Sequence, residues 1–178
     1  MAPARKLRDF ITRRDHNLMR RLSGWSPPHW VRLWMKSSSR AGDGWLWAAL
    51  LIPILSLGGA MRYRAVAVLA TAVATGILFF LLLKRLIGRS RPCMIQPVRW
   101  AQLIPPDRFS FPSGHSITAF AITVPLSMFY PAWMLYLLFC AVSVSTSRVV
   151  LGMHFLSDVL AGSLMGAGIG WATYSLMV

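Results

Sequence analysis

The sequence predicts an all-α, integral-membrane helical bundle of about five transmembrane helices, preceded by an N-terminal amphipathic helix at the membrane interface. Three observations predict it. Hydrophobic residues make up 56% of the 178 residues and charged residues only 13%, with mean hydropathy +0.54; an ordinary soluble domain carries about 25% charged residues. Apolar runs recur at 45–60, 65–83, 115–129, 131–147 and 155–177, close to the roughly 20 residues that cross a bilayer. The charge is lopsided: 19 Lys and Arg against five acids, all of them Asp, for a net charge of +14. Beside apolar spans, that excess points to lipid headgroups or phosphate as partner, and away from nucleic acid.

Residues 1–44 form a basic amphipathic interfacial segment, and ten of the 19 basic residues lie in 1–40. Leu7, Phe10, Ile11, Leu18 and Leu22 recur at roughly helical spacing among arginines, the pattern of a helix lying on a membrane surface. Trp30 and Trp34 suit the headgroup layer. No apolar signal-peptide core is expected in this stretch. Residues 45–178 form the transmembrane domain, with Asp43 placed to cap its first helix. Residues 84–114, with Pro92, Pro97, Pro105, Pro106 and Pro112, form a loop containing at most one short helix. Gly162, Gly166 and Gly170 repeat every four residues in the last span and permit close helix packing within the bundle. Cys93 and Cys140 give no disulfide framework.

Polar residues collect at three span ends: "KRLIGRSRP" after the second, "FPSGHS" opening the third, and "SRVVLGMHFLSD" between the fourth and fifth. Counting crossings puts all three on one side of the membrane. Lys84, Arg91, Arg148, His115, His154 and Asp158 can therefore converge at one mouth of the bundle. Each alone has a commoner reading: a snorkelling Lys84, a flanking-loop Arg91, an N-capping Ser113, an interfacial histidine. An intramembrane carboxylate such as Asp158 is costly unless paired. Together the set has the inventory of phosphoryl transfer. Arg offers a planar fork to phosphate oxygens and Lys a point charge. "PSGH" puts free backbone N–H groups, including that of Gly114, at a helix N-terminus. Asp158 lies four residues after His154, so the sequence expects it to orient the imidazole, leaving the other nitrogen as nucleophile. His115 can protonate the leaving alkoxide.

These motifs closely resemble the type 2 phosphatidic acid phosphatase superfamily, which includes the vanadium haloperoxidases. The family pattern K-x6-RP, PSGH and SR-x5-H-x3-D is matched by Lys84 to Arg91–Pro92, by Pro112–Ser113–Gly114–His115, and by Ser147–Arg148 to His154 to Asp158. The resemblance implies His154 as nucleophile, Asp158 as its orienting group, and His115 as acid and then base. It implies Lys84, Arg91, Arg148, Ser113 and Gly114 as the phosphate-binding set. It implies no metal and no cofactor, and the carboxylate-rich cluster that Mg²⁺ favours is missing from the sequence. Many members have six spans, against five and a surface helix here.

The expected function is a membrane lipid phosphatase acting on phosphatidylglycerophosphate, undecaprenyl pyrophosphate, phosphatidic acid or lipid A phosphate through a phosphohistidine. The competing readings are a non-catalytic lipid-binding or flipping protein and a vanadate-dependent haloperoxidase-like enzyme. Arg85, Arg89, Arg99 and Arg108 around the site are read as solvated loop charges, with selection of a larger anionic headgroup as the alternative. The expected setting is a bacterial inner membrane. Seventeen basic residues fall on the side of the tail and site and two, Arg62 and Arg64, on the other, so the positive-inside rule turns the site to the cytoplasm, whereas many bacterial members of the family act on the outer face.

Overall fold

The computed structural model describes residues 3–101, 105 and 107–178, so Pro106 of the proline-rich loop lies outside the described residues. These residues are helical apart from turns and one isolated β-bridge between Ser90 and Phe109. In chain order the helices are α1 (Pro3–Gly24), α2 (His29–Ala41), α3 (Trp45–Ala49), α4 (Leu51–Leu57), α5 (Arg62–Ile87), α6 (Pro92–Ile95), α7 (Gly114–Phe129), α8 (Met134–Val150) and α9 (Leu156–Met177).

The five apolar runs are helical. The first is broken into α3 and α4 at Leu50. Pro53 explains the break: it has no N–H for the Ala49 carbonyl, and its ring crowds that carbonyl. The second run reaches further than the apolar residues alone, over Arg62–Ile87, and ends at Gly88 with φ 62°, a left-handed cap that glycine adopts without a Cβ clash. Gly59–Ile87 and Pro131–Val150 are long and apolar enough to cross a membrane. Their outer faces are bare: Leu78, Leu82 and Leu86 on α5, and Leu135 and Phe139 on α8, are exposed. A contiguous exposed apolar surface of this kind is foreign to a soluble monomer.

Helix α7 is the centre of the bundle, flanked by α9, α5 and α8. Its contact with α9 is made by the glycine repeat. A Cβ at Gly162 would lie 2.7 Å from the Ser113 carbonyl oxygen, and one at Gly170 would lie 2.8 Å from Pro125 Cδ. Overpacking of this sort costs about 1–3 kcal/mol. The repeat therefore serves packing inside the bundle, as expected.

The N-terminal segment is more than a surface float. Met19 and Asp15 on α1 are buried, and Leu18 and Leu22 pack on a cluster of Val149, Leu151, Met153, Phe155 and Val159. Leu7, Phe10 and Ile11, one to three turns earlier, stay exposed. One end of the helix thus docks on the α8–α9 connection while the other keeps an apolar face free. Helix α2 docks on α8 through Met35 and Ser39, and Trp34 stacks on Phe139 at 6.1 Å.

Candidate active site

Lys84, Arg91, Gly114, His115, Arg148 and His154 all line one cavity of about 440 Å³ at the end of the bundle. The convergence expected from the span count is present. Lys84 sits in the last turn of α5, one turn before the Gly88 cap. Arg91 precedes Pro92, and the proline ring forces it to an extended conformation (φ −78°, ψ 148°). That conformation ends the turn after α5 with the guanidinium inside the protein, 1% exposed.

Arg91 donates from Nε to the Asp107 carbonyl at 2.8 Å, from Nη1 to the Met153 carbonyl at 2.9 Å, and from Nη2 to the Asp107 carboxylate at 3.1 and 3.2 Å. Lys84 Nζ donates to the same carboxylate at 2.5 Å. Burial opposes ionisation of Asp107, but the Lys84 bond, the Phe109 N–H and the Arg91 charge outweigh it and hold its carboxyl below the usual range. Arg148 donates from Nη1 to Ser39 Oγ at 2.5 Å, while its buried Nε has no partner among the described residues.

His154 is 2% exposed. Its Nδ1–H donates to the Ser110 carbonyl at 2.5 Å, which fixes the tautomer and leaves an Nε2 lone pair 3.1 Å from Arg91 Nη1. Burial, and then the charges of Arg91 and Arg148, push the imidazole well below its ordinary pKa, so it is neutral near pH 7. This has a cost in acid. The unfolded chain takes up a proton below about pH 6.5 that the native imidazole refuses, so stability falls as pH drops from there, by up to ~1.4 kcal/mol per unit. Thermal unfolding in detergent between pH 6.5 and 5 should show that fall, and His154→Gln should make it shallower.

Two expectations are corrected. Asp158 does not hydrogen-bond His154; its Oδ2 lies 4.0 Å from Nδ1. His154 precedes the helix, so the pair is not one turn apart on a common face. Asp158 is instead the third residue of α9, and its Oδ2 turns back to accept the Phe155 N–H at 2.8 Å. Ser113 does not line the cavity. It is fully buried, donating its N–H to the Asp158 carbonyl and accepting from Ser116 Oγ, which leaves the neighbouring Gly114 as the lining residue of that turn.

A family model described as the PAP2 superfamily matches residues 64–178, which hold every residue of the three motifs. The chain belongs to the PAP2 superfamily. Over 101 residues it is 37% identical to a lipid A 1-phosphatase of Rhizobium johnstonii, covering 54% of this chain and 41% of that protein. Over 129 residues it is 35% identical to a decaprenylphosphoryl-5-phosphoribose phosphatase of Mycobacterium tuberculosis, covering 71% and 68%. The crystal structure of LpxE from Aquifex aeolicus shares the fold, with a TM-score of 0.74 at 24% identity over 89% of this chain and 93% of that one. The chain spans about two fifths of the length of the first curated relatives it matches.

Around this PAP2 site the structure adds acids that sequence reading missed. Asp43, expected to cap α3, makes no such bond; Gly44 stands at the cap, and Asp43 Oδ1 accepts from His115 Nε2 at 2.7 Å. Asp107 joins Lys84 and Arg91. Asp15 and Arg89 form a second buried network, so Arg89 is not the solvated charge expected, whereas Arg85, Arg99 and Arg108 are exposed. A signal was available: in a chain with five acids and 19 basic residues, each acid inside the fold has a cation or an imidazole as partner.

Proposed function

We propose that this PAP2-superfamily chain is an integral-membrane lipid phosphatase, working without a metal, that cleaves the phosphomonoester or pyrophosphate of a lipid through a phosphohistidine at His154. In this reading the five apolar segments cross the bilayer, residues 1–44 lie at its surface, and the headgroup enters the cavity while the tail stays among the helices. The observation that supports it most is the imidazole itself: neutral, with Nδ1–H committed to Ser110 and an Nε2 lone pair beside the cations of the cavity.

The steps follow from those positions. The substrate phosphate, with up to two negative charges, takes the place of the Asp107 carboxylate between Lys84 and Arg91, and Arg148 offers its unpartnered Nε. Nε2 of His154 attacks phosphorus, the P–O bond to the lipid breaks, and His115 gives its proton to the leaving oxygen. Asp43 accepts from His115 Nε2 and orients that ring for the transfer. Water then attacks the phosphohistidine, His115 takes back a proton, the P–N bond breaks, and inorganic phosphate leaves. The site recognises phosphate and not the tail, and the relatives named above act on different lipids by their names.

The test is phosphate release by purified protein in detergent from phosphatidylglycerophosphate, undecaprenyl pyrophosphate, phosphatidic acid and lipid A, with and without EDTA. Release from at least one lipid, unchanged by EDTA, is expected. Phosphate binding with no release from any lipid would make the chain a binding protein, and strict Mg²⁺ dependence would remove the mechanism.

The site faces the cytoplasm in this proposal. With Lys84, Arg91 and Arg148 set aside as site residues, fourteen basic residues still stand on its side against two. A single cysteine at the exposed Arg108, in a background lacking Cys93 and Cys140, should react with a membrane-impermeant maleimide only after intact cells are permeabilised. Labelling without permeabilisation would turn the site outward and favour undecaprenyl pyrophosphate.

A further inference from the structure

Arg89 is tied to the segment whose carbonyl accepts from His154 and to the carboxylate that holds the N–H of the next residue, Phe155. Its backbone carbonyl accepts the Ser110 N–H at 2.7 Å, and the Ser110 carbonyl is the acceptor of His154 Nδ1–H. Its side chain donates from Nη1 to Asp158 Oδ1 at 2.6 Å and to Ser157 Oγ at 2.7 Å. The guanidinium also lies over the Phe155 ring, 4.1 Å from its centroid. Phe155 follows His154 directly, and its N–H is held by Asp158.

The remaining arm of the guanidinium leaves the catalytic layer. Nη2 donates to Asp15 Oδ2 at 2.8 Å. Asp15 lies on α1, is 4% exposed, and accepts in addition from the Ser157 N–H at 3.1 Å and from Ser157 Oγ at 2.5 Å. A carboxylate on the N-terminal helix is thus buried against the first turn of α9, on the helix that carries Asp158. Two buried carboxylates share one guanidinium, and the planar fork is what lets a single side chain bridge them.

We propose that Asp15 and Arg89 are positioning residues that couple docking of α1 to the orientation of His154. The proposal rests on His154 being the nucleophile. Asp15 fixes the rotamer of Arg89, Arg89 fixes Asp158 and the Ser110 segment, and these hold the imidazole for attack. Neither residue lines the phosphate cavity, so their loss should act on turnover and spare substrate binding. A displacement of the nucleophile of about 1 Å is worth on the order of 10²-fold in rate.

The experiment compares full-length Asp15→Asn, Arg89→Lys and His154→Ala on the four-lipid panel in detergent, with thermal unfolding measured on the same samples. Asn keeps the size and an acceptor at position 15 but removes the charge that anchors Arg89, and Lys cannot bridge both carboxylates. Both variants should lose about 10- to 100-fold in kcat with KM within about twofold of the parent. Adding Asp15→Asn to Arg89→Lys should lower kcat no further, because Asp15 acts only through Arg89; a purely structural loss would multiply instead. Full kcat in folded Asp15→Asn and Arg89→Lys, with His154→Ala dead, would overturn the relay alone. A rise in KM matching the fall in kcat/KM, or multiplicative losses in the double variant, would also overturn it. Activity retained in His154→Ala would overturn it together with the chemistry it serves.

Discussion

His154→Ala should lower lipid phosphate release by on the order of 10⁴-fold or more, about 5 kcal/mol or more in transition-state free energy. The size follows from the covalent step proposed for His154. No other neutral nitrogen is described beside Arg91 with its proton committed elsewhere, so the variant is left with direct attack by water. It should remain folded, because the imidazole's hydrogen-bond partners are Ser110 and Arg91, and Arg91 keeps its bonds to Met153 and Asp107. It should still bind phosphate through Lys84, Arg91 and Arg148. Initial rates of phosphate release, and mass spectrometry of alkali-quenched protein for an acid-labile, base-stable phosphoryl adduct, check both parts. Full activity, or a phosphoprotein that survives the substitution, would sink the nucleophile assignment.

Arg91→Lys should cost about 10²- to 10³-fold in kcat/KM, or ~2.7–4 kcal/mol, comparable to removing a preorganised donor from an oxyanion site. The substitution keeps the charge, so the loss comes from geometry. One guanidinium spans the Asp107 carbonyl and carboxylate, the Met153 carbonyl and His154 Nε2; an ammonium on a flexible stem reaches one or two of these. The Met153 carbonyl, left without its donor in a buried place, adds a stability loss of about 1–3 kcal/mol. Inhibition by vanadate, which offers the trigonal-bipyramidal shape of the transition state, should weaken with the substrate. Unchanged kinetics and unchanged vanadate inhibition would move Arg91 out of the site.

The helices and the convergence of the motif cations were legible because both depend on local signals. Apolar runs mark helices, Gly88 and Pro92 mark where α5 stops and Arg91 turns inward, and counting crossings assigns a side. The acids were not legible, because each meets its partner across the fold. Asp43 sits before a helix and looks like a cap, and only the packing of the α2–α3 turn over α7 shows that it faces His115. Asp158 looked like a one-turn partner of His154, but the spacing rule assumes a helix through both residues, and the helix begins after Phe155. Asp15 was hidden for another reason. Arginine stems are apolar enough to blur which face of α1 is inward, and the docked face is marked by Met19 and one carboxylate.

The glycine repeat of α9 also decides which parts of the bundle can yield. With Gly162 and Gly170 against the backbone and proline ring of α7, no layer of side chains lies between these helices to act as a bearing. They are expected to move as one unit, which carries His115 at the start of α7 and Asp158 in the first turn of α9. Compliance is left to the opposite wall of the cavity, where α5 presents Gly76 and Phe80 and the chain turns through Gly42, Asp43 and Gly44 into the proline-broken pair α3 and α4. Amide exchange should accordingly be slowest along the α7–α9 seam and faster in α3 and α4. In the proposed mechanism a bulky lipid would enter by movement of this wall, while His115 and the start of α9 behind His154 keep their spacing.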